Sequence, residues 1–407
     1  VTAATAHLRE RIRRLPGMDR LLPALAGLPP TYLVGGAVRD LLRGADAIDL
    51  DLAVEGDAHS AARALAERLG GTTREHERFG TATVRAEDLK FDLAATRTES
   101  YDEPGALPRV AAAPLSEDLR RRDFTINAMA VALVGDDLGH LYDPHGGLSD
   151  LEAGVVRVLH PGSFLDDPTR LLRSVRYETR LGFRMDDDSE RAARAAVAED
   201  AMSTVSGARV RDELMDLLGE HEAPAAVERM RDLGLARALH PALDPDPELV
   251  ASASLGAAAI GADRALASLA ALCAGAPEEL DLWLAGLHLD ARARDAVARA
   301  ARVGALIAHE LRAYDRTPSE LRDLLGGEPP EALALALALG APAEPVLRWV
   351  TDLSAVTLEI GGNDLLAAGV PEGPAIGQAL EETLRRKLDG LVRGREDELR
   401  TALELAR

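Results

Sequence analysis

The chain changes its hydrophobic rhythm near residue 150. Before that point apolar positions come in short alternating runs. Thr31–Val38 begins extended and enters the turn Gly35-Gly36, and Ala37–Leu42 then reads as a short helix. Ile48–Val54 alternates as a strand, as do Thr81–Arg85 and Lys90–Thr96, while Ala58–Leu69 has the apolar spacing of an amphipathic helix. Residues 97–116, with Pro104, Gly105, Pro108 and Pro114, predict a long mobile loop, a kind of segment that carries function more often than not in a compact domain. Another strand-and-helix stretch closes the region at about residue 150. From Asp150 onward the spacing is helical almost without exception, broken at Pro161-Gly162, Gly182, Pro224, residues 241–247, 275–277 and 326–330, and Gly361-Gly362. No fixed-period repeat is present. The predicted fold class is α+β: one small mixed α/β head followed by a long all-helical body.

Composition narrows the setting. Of the 407 residues, 47% are hydrophobic and 28% charged, enough for a large core and more than one folded unit. Cys273 is the single cysteine, which excludes a disulfide scaffold and fits a reducing cytoplasm. The first residues carry Arg9, Glu10, Arg11, Arg13 and Arg14 rather than a secretory apolar core, and the longest uncharged stretches are too short to span a membrane, so a soluble cytoplasmic protein is expected. The net charge of −21 argues at first against a polyanionic partner. It is unevenly spread: residues 1–184 hold 24 Lys and Arg against 28 Asp and Glu, and residues 185–407 hold 23 against 40. Only Lys90 and Lys387 are lysines, so nearly every cation is an arginine, the side chain suited to forked contacts with phosphates; a genome-wide compositional bias explains the excess equally well.

Four clusters carry candidate chemistry. Asp49 and Asp51 are two apart in a predicted strand, which points both carboxylates to one face, an arrangement Mg²⁺ can use. Asp92 stands in Lys90-Phe91-Asp92-Leu93-Ala94, where a lone carboxylate between apolar residues is costly unless paired or metal-bound. If its strand lies beside Asp49 and Asp51, the three acids make a two-metal site for phosphoryl or nucleotidyl transfer. Gly35 and Gly36, between a strand and a helix, let backbone N–H groups approach an anion beside Arg39, although a plain turn would look the same. In Arg120-Arg121-Arg122-Asp123-Phe124, Arg122 can meet phosphate or sugar and Asp123 can accept from ribose hydroxyls; a solvated turn is the alternative. The fourth cluster is Asp166–Tyr177. Asp166 or Asp167 can cap a helix with Pro168 in its first turn, and Arg170, Arg173, Arg176 and Arg180 form one stripe while Leu171, Leu172 and Val175 face elsewhere. The stripe is either a solvated face or a nucleotide-binding one. An Asp acceptor and an Arg donor at Asp167 and Arg170 match the Watson–Crick edges of C and A, which both pair an amine donor with a ring-nitrogen acceptor, and mismatch U and G.

In this order and spacing the clusters resemble the class II tRNA nucleotidyltransferase and bacterial poly(A) polymerase family, most closely the CCA-adding enzymes. Gly-Gly-Ala-Val-Arg-Asp with Asp49 and Asp51 resembles motif A; Arg121 to Ala128, motif B; Asp143 to Leu151, motif C; Asp166 to Arg176, motif D; Arg209 to Leu218 is similar to motif E. A fainter likeness runs from Gly362-Asn363-Asp364-Leu365 through Gly373-Pro374 and Gly377 to Leu388-Asp389-Gly390. The resemblance implies a seahorse-shaped protein with a polymerase-beta-like head at 1–150, a neck at 151–218, a body at 219–330 and a tail at 331–407. It implies addition of C, C and A to the tRNA 3′ end from CTP and ATP. It further implies that Asp49 and Asp51 hold catalytic Mg²⁺ with Asp92 as a third carboxylate, and that Gly36, Arg39, Arg122, Asp167, Arg170, Arg173 and Arg176 contact the nucleotide. Asp166 departs from the pattern, standing where the family has Glu.

Family members that add only CC or only A, or that polymerise A, share these motifs. A poly(A) polymerase would bring a basic extension, whereas residues 185–407 are acidic. No His-Asp dipeptide marks a phosphohydrolase module. A small-molecule nucleotidyltransferase would not need so long a helical part, and a non-catalytic RNA-binding scaffold would not need all three acids. No DNA partner is expected.

Overall fold

A computed structural model describes residues 3–45, 49–76, 80–100, 105 and 108–406. They divide into two compact units, residues 1–206 with 233–238, and residues 207–232 with 239–407.

The first unit opens with helices α1 (Ala3–Arg14) and α2 (Met18–Ala24), then alternates β1 (Thr31–Val34), α3 (Gly36–Arg43), β2 (Leu50–Val54), α4 (Ala58–Leu69), β3 (Thr72–His76), β4 (Thr81–Ala86) and β5 (Leu89–Ala95). With β8 (Ala130–Ala132) and β9 (Leu141–Tyr142), the strands form a seven-stranded mixed sheet in the order β3-β4-β5-β2-β1-β8-β9. Among the described residues of this sheet, only β2 and β5 pair in parallel. Helix α4 forms because Asp57 caps its start, accepting from the backbone of His59 and Ser60, and Gly70 ends it with φ 68°. Its apolar stripe, Ala61, Ala62, Leu65 and Leu69, is buried against the sheet face carrying Leu52, Val84, Phe91 and Leu93. On the other face, Ala53 of β2 is buried in a cluster with Leu115 and Leu119, whereas the stretch formed by Asp51, Arg74, Thr83, Arg85, Lys90 and Asp92 is polar and carries the candidate carboxylates.

The run 97–116 differs from expectation. Its described parts are a two-stranded ribbon, β6 (Arg97–Ser100) pairing with β7 (Arg109–Ala112), and the start of α5 (Leu115–Arg120). The prolines misled because Pro108 and Pro114 flank β7 instead of interrupting it; Pro104 lies outside the described residues. A 3₁₀ turn at Thr125–Asn127 precedes β8, followed by α6 (Gly147–Ala153) and β10 (Val155–Val156). Next come α7 (Ser163–Asp166), α8 (Thr169–Leu181), β11 (Arg184–Met185) and α9 (Asp187–Ala198). The parallel pair β10–β11 interrupts the expected run of helices.

The second unit is helical. The long helix Ala291–Ala313 packs on Pro330–Ala338, which also packs on Pro247–Ile260. The tail-like motif has a structural account: Asp389 accepts from Ser319 N at 2.9 Å and Ser319 Oγ at 2.8 Å, capping the helix Pro318–Leu325. Asp364, in the first turn of the helix Gly362–Ala367, reaches back to accept from Gly361 N at 2.8 Å. Among the described residues no helix is long and apolar enough to cross a membrane.

The stretch Asp143 to Leu151 supports the site from below. Asp143 caps α6 through Gly147 N and Leu148 N, at 2.7 and 2.9 Å. A Cβ at Gly147 would lie 2.2 Å from the Thr125 carbonyl oxygen, so only glycine lets α6 approach the 3₁₀ turn this closely. Asp150, buried, accepts from Thr125 Oγ1 at 2.7 Å and from Arg157 Nε and Nη2 at 3.0 and 3.1 Å. Asp150→Ala should therefore lower the stability of the first unit by roughly 1.5–3 kcal/mol, the worth of hydrogen bonds to a charged group. Urea denaturation followed by circular dichroism measures it, and an unchanged midpoint would show that Arg157 and Asp186 hold this corner without Asp150.

Candidate active site

Strand register brings two of the predicted carboxylates together. Asp51 on β2 pairs directly with Asp92 on β5, so the two stand side by side on the open face. Asp49 immediately precedes β2 instead of lying within it, and Ile48 is outside the described residues, so its side-chain direction is not set by the alternation of the strand. Asp92 also accepts from the Thr83 hydroxyl of β4. Asp51, Asp92, Thr83, His76 and Arg122 line a cavity of about 420 Å³. Asp51 reaches solvent at its mouth but has protein around its inner side. That burial, with the charge of Asp92 and then Asp49, raises its pKa above the ordinary carboxylate value, against the opposing pull of Arg122 and Lys90.

Such a like-charge pair is relieved by a cation. The residues fit one: hard anionic oxygens converge at an open, solvent-reached site. No group of three His, Cys, Asp or Glu among the described residues is placed to hold an ion unaided. Two carboxylates with the remaining positions left to water or substrate phosphate is the pattern Mg²⁺ favours.

Beside the carboxylates lies the glycine turn. Gly35 has φ 66° and ψ −133°, a backbone reserved for glycine, and a Cβ there would sit 2.8 Å from Arg122 Nη1. It thus permits both the sharp entry into α3 and the close approach of the arginine. Arg39, on α3, is buried. Its guanidinium donates to Asn127 Oδ1 at 2.8 Å and to both oxygens of Asp40 at 2.9 and 3.0 Å, and it stacks 5.1 Å from the Tyr177 ring centre. Burial opposes its charge, but Asp40 and Tyr177 outweigh that and raise its pKa.

The arginine run is held from within. Asp118, 1% exposed, takes Arg121 on Oδ1 at 2.7 Å and Arg122 on Oδ2 at 2.9 Å. Burial would raise its pKa, and the two guanidiniums more than reverse this, holding it below the ordinary value. Arg120 remains exposed beside Glu117. Asp123 lies deeper than expected for a ribose acceptor. Its Oδ2 receives Arg173 Nε at 2.9 Å, and its Oδ1 receives Phe124 N at 2.8 Å and Asn127 Nδ2 at 3.1 Å. Burial again opposes the charge, and Arg173, Arg170 and Asn127 depress the pKa.

The stripe on α8 is a buried face at its start, with only Arg180 fully exposed. Leu171, Leu172 and Val175 point into the core as expected. Asp167 Oδ1 accepts from Thr169 N at 3.1 Å and Thr169 Oγ1 at 2.7 Å, holding the first turn of α8. Arg170, 5% exposed, donates to Ser163 Oγ and to the Arg121 carbonyl oxygen at 2.9 Å. Arg176 is half-buried on the same helix. Asp166 lies 3.6 Å from His160 Nε2.

Gly35, Gly36, Arg39, Arg122, Asp123, Arg170 and Arg173 thus form one connected region. Sequence reasoning missed Asp118, Asn127, Ser163 and Tyr177, which hold these groups in place. Tyr177 had a signal, since it lies four residues after Arg173 on the same helix; its hydroxyl is 3.3 Å from Arg173 Nη2, and its ring meets Phe124 edge-on at 5.7 Å.

Comparison with known proteins is consistent with this geometry. Residues 31–157 match the family described as the poly A polymerase head domain, and residues 182–246 match the probable RNA and SrmB-binding site of polymerase A. The chain is 35% identical over 398 residues to an A-adding tRNA nucleotidyltransferase of Geobacter sulfurreducens, covering 93% of this chain and 45% of that protein. It is 33% identical over 376 residues to a CC-adding tRNA nucleotidyltransferase of Deinococcus radiodurans, covering 91% and 88%. A solved structure of a CCA-adding enzyme in an apo form superposes with a TM-score of 0.78 at 30% identity, covering 98% of each chain. The chain spans about half or less of the length of the curated A-adding relatives it matches first.

The Asp123–Arg173 pair has a testable pH signature. A carboxylate whose folded pKa is depressed contributes stability that is present above its unfolded pKa, about 3.9, and is lost as pH falls through the folded value. Asp123→Asn should cost about 2–3 kcal/mol near pH 7, less than the ~3–5 of a fully buried pair because Arg173 keeps 32% of its side chain in solvent. Urea midpoints of the two proteins should converge only below about pH 3.9. A gap unchanged from pH 7 to pH 3 would place the effect elsewhere than in the charge.

Proposed function

Because this chain belongs to the tRNA nucleotidyltransferase family, we propose that it transfers nucleotides without a nucleic-acid template from CTP and ATP to the 3′ end of tRNA, building C, C and A. The observation that carries the reading is the pairing of Asp51 with Asp92 at a cavity that also holds Arg122 and adjoins the glycine turn. In the reaction the terminal 3′-hydroxyl gives up its proton to solvent, its oxygen forms a bond to the α-phosphorus, the bond from that phosphorus to the bridging oxygen breaks, and pyrophosphate leaves.

Asp49 and Asp51 would hold Mg²⁺, which would supply charge neutralisation and lower the pKa of the attacking hydroxyl. Gly35 and Gly36 let the triphosphate approach the backbone at the start of α3, and Arg122, steered by Asp118, offers its remaining N–H groups to the phosphates. Asp167 and Arg170 select the base by matching the shared donor–acceptor edge of C and A. Arg170 must exchange its bonds to Ser163 or Arg121 to do so. Asp123 orients Arg173 instead of meeting the ribose directly.

A second reading, addition of the terminal A alone, is favoured by a specific observation: the first three curated relatives, at 35, 44 and 48% identity over 398, 211 and 166 residues, are A-adding enzymes, while a multifunctional CCA protein matches at 37% over 221 residues and a CC-adding enzyme of Deinococcus radiodurans at 33% over 376.

The deciding experiment offers the purified protein with Mg²⁺ three tRNAs, lacking CCA, lacking A, or complete, with CTP and ATP alone and together. Extension of the first tRNA by three nucleotides supports full CCA addition; extension of the second only supports A addition; a long tail on the complete tRNA supports poly(A) synthesis. Asp51→Ala should reduce incorporation about 10³-fold, since metal-assisted charge stabilisation is worth several kcal/mol and each 1.36 kcal/mol is tenfold. Incorporation retained at the wild-type rate would remove Asp51 from the chemistry.

A further inference from the structure

The open sheet face carries a second like-charge pair beside the carboxylates. On adjacent antiparallel strands, Arg85 of β4 stands directly opposite Lys90 of β5. Two residues along, Thr83 lies opposite Asp92 and, on its other side, opposite Arg74 of β3. Side chains two apart on a strand share a face, so Arg74, Arg85 and Lys90 share theirs with Asp51 and Asp92; all three cations are exposed. Directly opposed like charges about 5 Å apart destabilise a sheet, and diagonal neighbours at about 7–8 Å remain within reach of long side chains.

In a chain with 68 acids and 47 Lys and Arg, a carboxylate to quench such a pair would be easy to supply. None does so here. Among the described residues, Arg74 and Arg85 have no ion pair or hydrogen bond from their side chains, and Lys90 has only its longer-range effect on Asp51. The nearby acids among the described residues have other partners: Glu75, on the opposite face, holds Arg63 at 2.7 Å, and Glu87 and Asp88, in the turn joining β4 to β5, hold Arg20 at 2.7 and 3.4 Å. His76 continues the exposed side of β3 to the rim of the cavity.

We propose that Arg74, Arg85 and Lys90 form a docking row for the backbone phosphates of the RNA strand whose 3′-hydroxyl is extended at Asp51. Charge complementarity names the occupant: a run of cations that ends at the cavity matches a strand whose terminus lies in the cavity and whose phosphates lead away from it. The row rests on the proposed function. It accounts for how a chain of net charge −21 holds a polyanion, through a local unquenched stripe.

The test compares wild type with the double variants Arg74→Ala/Arg85→Ala and Arg74→Glu/Arg85→Glu, in steady-state assays with tRNA and in nucleotide-free tRNA binding by fluorescence anisotropy across salt concentrations. The alanine pair should raise KM for tRNA about tenfold or more, leave KM for ATP within twofold, and flatten the log–log salt slope by about 1.4, the share of two single-strand phosphate contacts. The glutamate pair should weaken binding further. Thermal denaturation should be unchanged or improved, because the substitutions remove a repulsion. An active wild type whose variants keep its tRNA KM and salt slope would overturn the docking row alone. Weaker pyrophosphate inhibition with tRNA KM unmoved would assign the row to the leaving group and overturn it too. A wild type that extends no tRNA would take down both this inference and the function on which it rests.

Discussion

The buried pair of Asp123 and Arg173 is the constraint on which the site is organised. It joins the segment leaving α5 to helix α8, two elements 50 residues apart in sequence. A buried carboxylate is costly unless every lone pair is used, and Asp123 uses Arg173, Asn127 and its neighbour's backbone N–H. Each partner then fixes another group. Asn127 presents its oxygen to Arg39, and Arg173 and Arg39 lie against Tyr177. Asp118 does the same one turn earlier, gripping Arg121 and Arg122. Guanidiniums that would otherwise sample many rotamers are held before any substrate arrives, so less entropy is lost on binding.

Much of this was legible in the sequence, and the division follows a physical line. Alternation and helical spacing located α4 and strands β2, β4 and β5, because each buries one face and the period reports it. The stripe of α8 was legible for the same reason. What periodicity does not carry is which loop residue turns inward. Asp118 and Asp123 look like surface charges in a run of arginines; the burial of Asp123 depends on partners at Arg173 and in the turn at Thr125–Asn127, and that of Asp118 on Arg121, Arg122 and the backbone N–H of Arg97. The ribbon at Arg97–Ser100 and Arg109–Ala112 was hidden by prolines that border its second strand. Asp49 was expected within a strand and stands just before one, the ordinary uncertainty of an element boundary.

The acidic excess also has a local explanation. In the second unit many carboxylates serve as helix caps or tie down arginines: Asp246, Asp263 and Asp290 cap their helices, and Glu328 holds Arg299 at 2.5 and 2.7 Å. The buried Glu398 is neutralised by Lys387 at 2.6 Å. Net charge is therefore a poor guide to any one surface here. An exposed ion pair contributes little to stability, but it cancels the field of both partners at a distance, leaving the unpaired groups to set the local potential.

On the open face of the sheet two directly opposed pairs are of like charge. Asp51 opposes Asp92, and two residues along Arg85 opposes Lys90. Shifting β5 by two residues would keep its apolar side chains on the core face, set Arg85 opposite Asp92 and take Asp92 away from Asp51, exchanging both repulsions for an attraction. The burial pattern alone therefore does not choose between these registers. The short turn at Glu87-Asp88 does, since it brings Ala86 opposite Leu89 and so fixes each pair beyond it. The sheet thus holds a less stable distribution of charge than its composition permits, and the excess potential, negative at Asp51 and Asp92 and positive at Arg85 and Lys90, is available to a cation and a phosphate bound side by side.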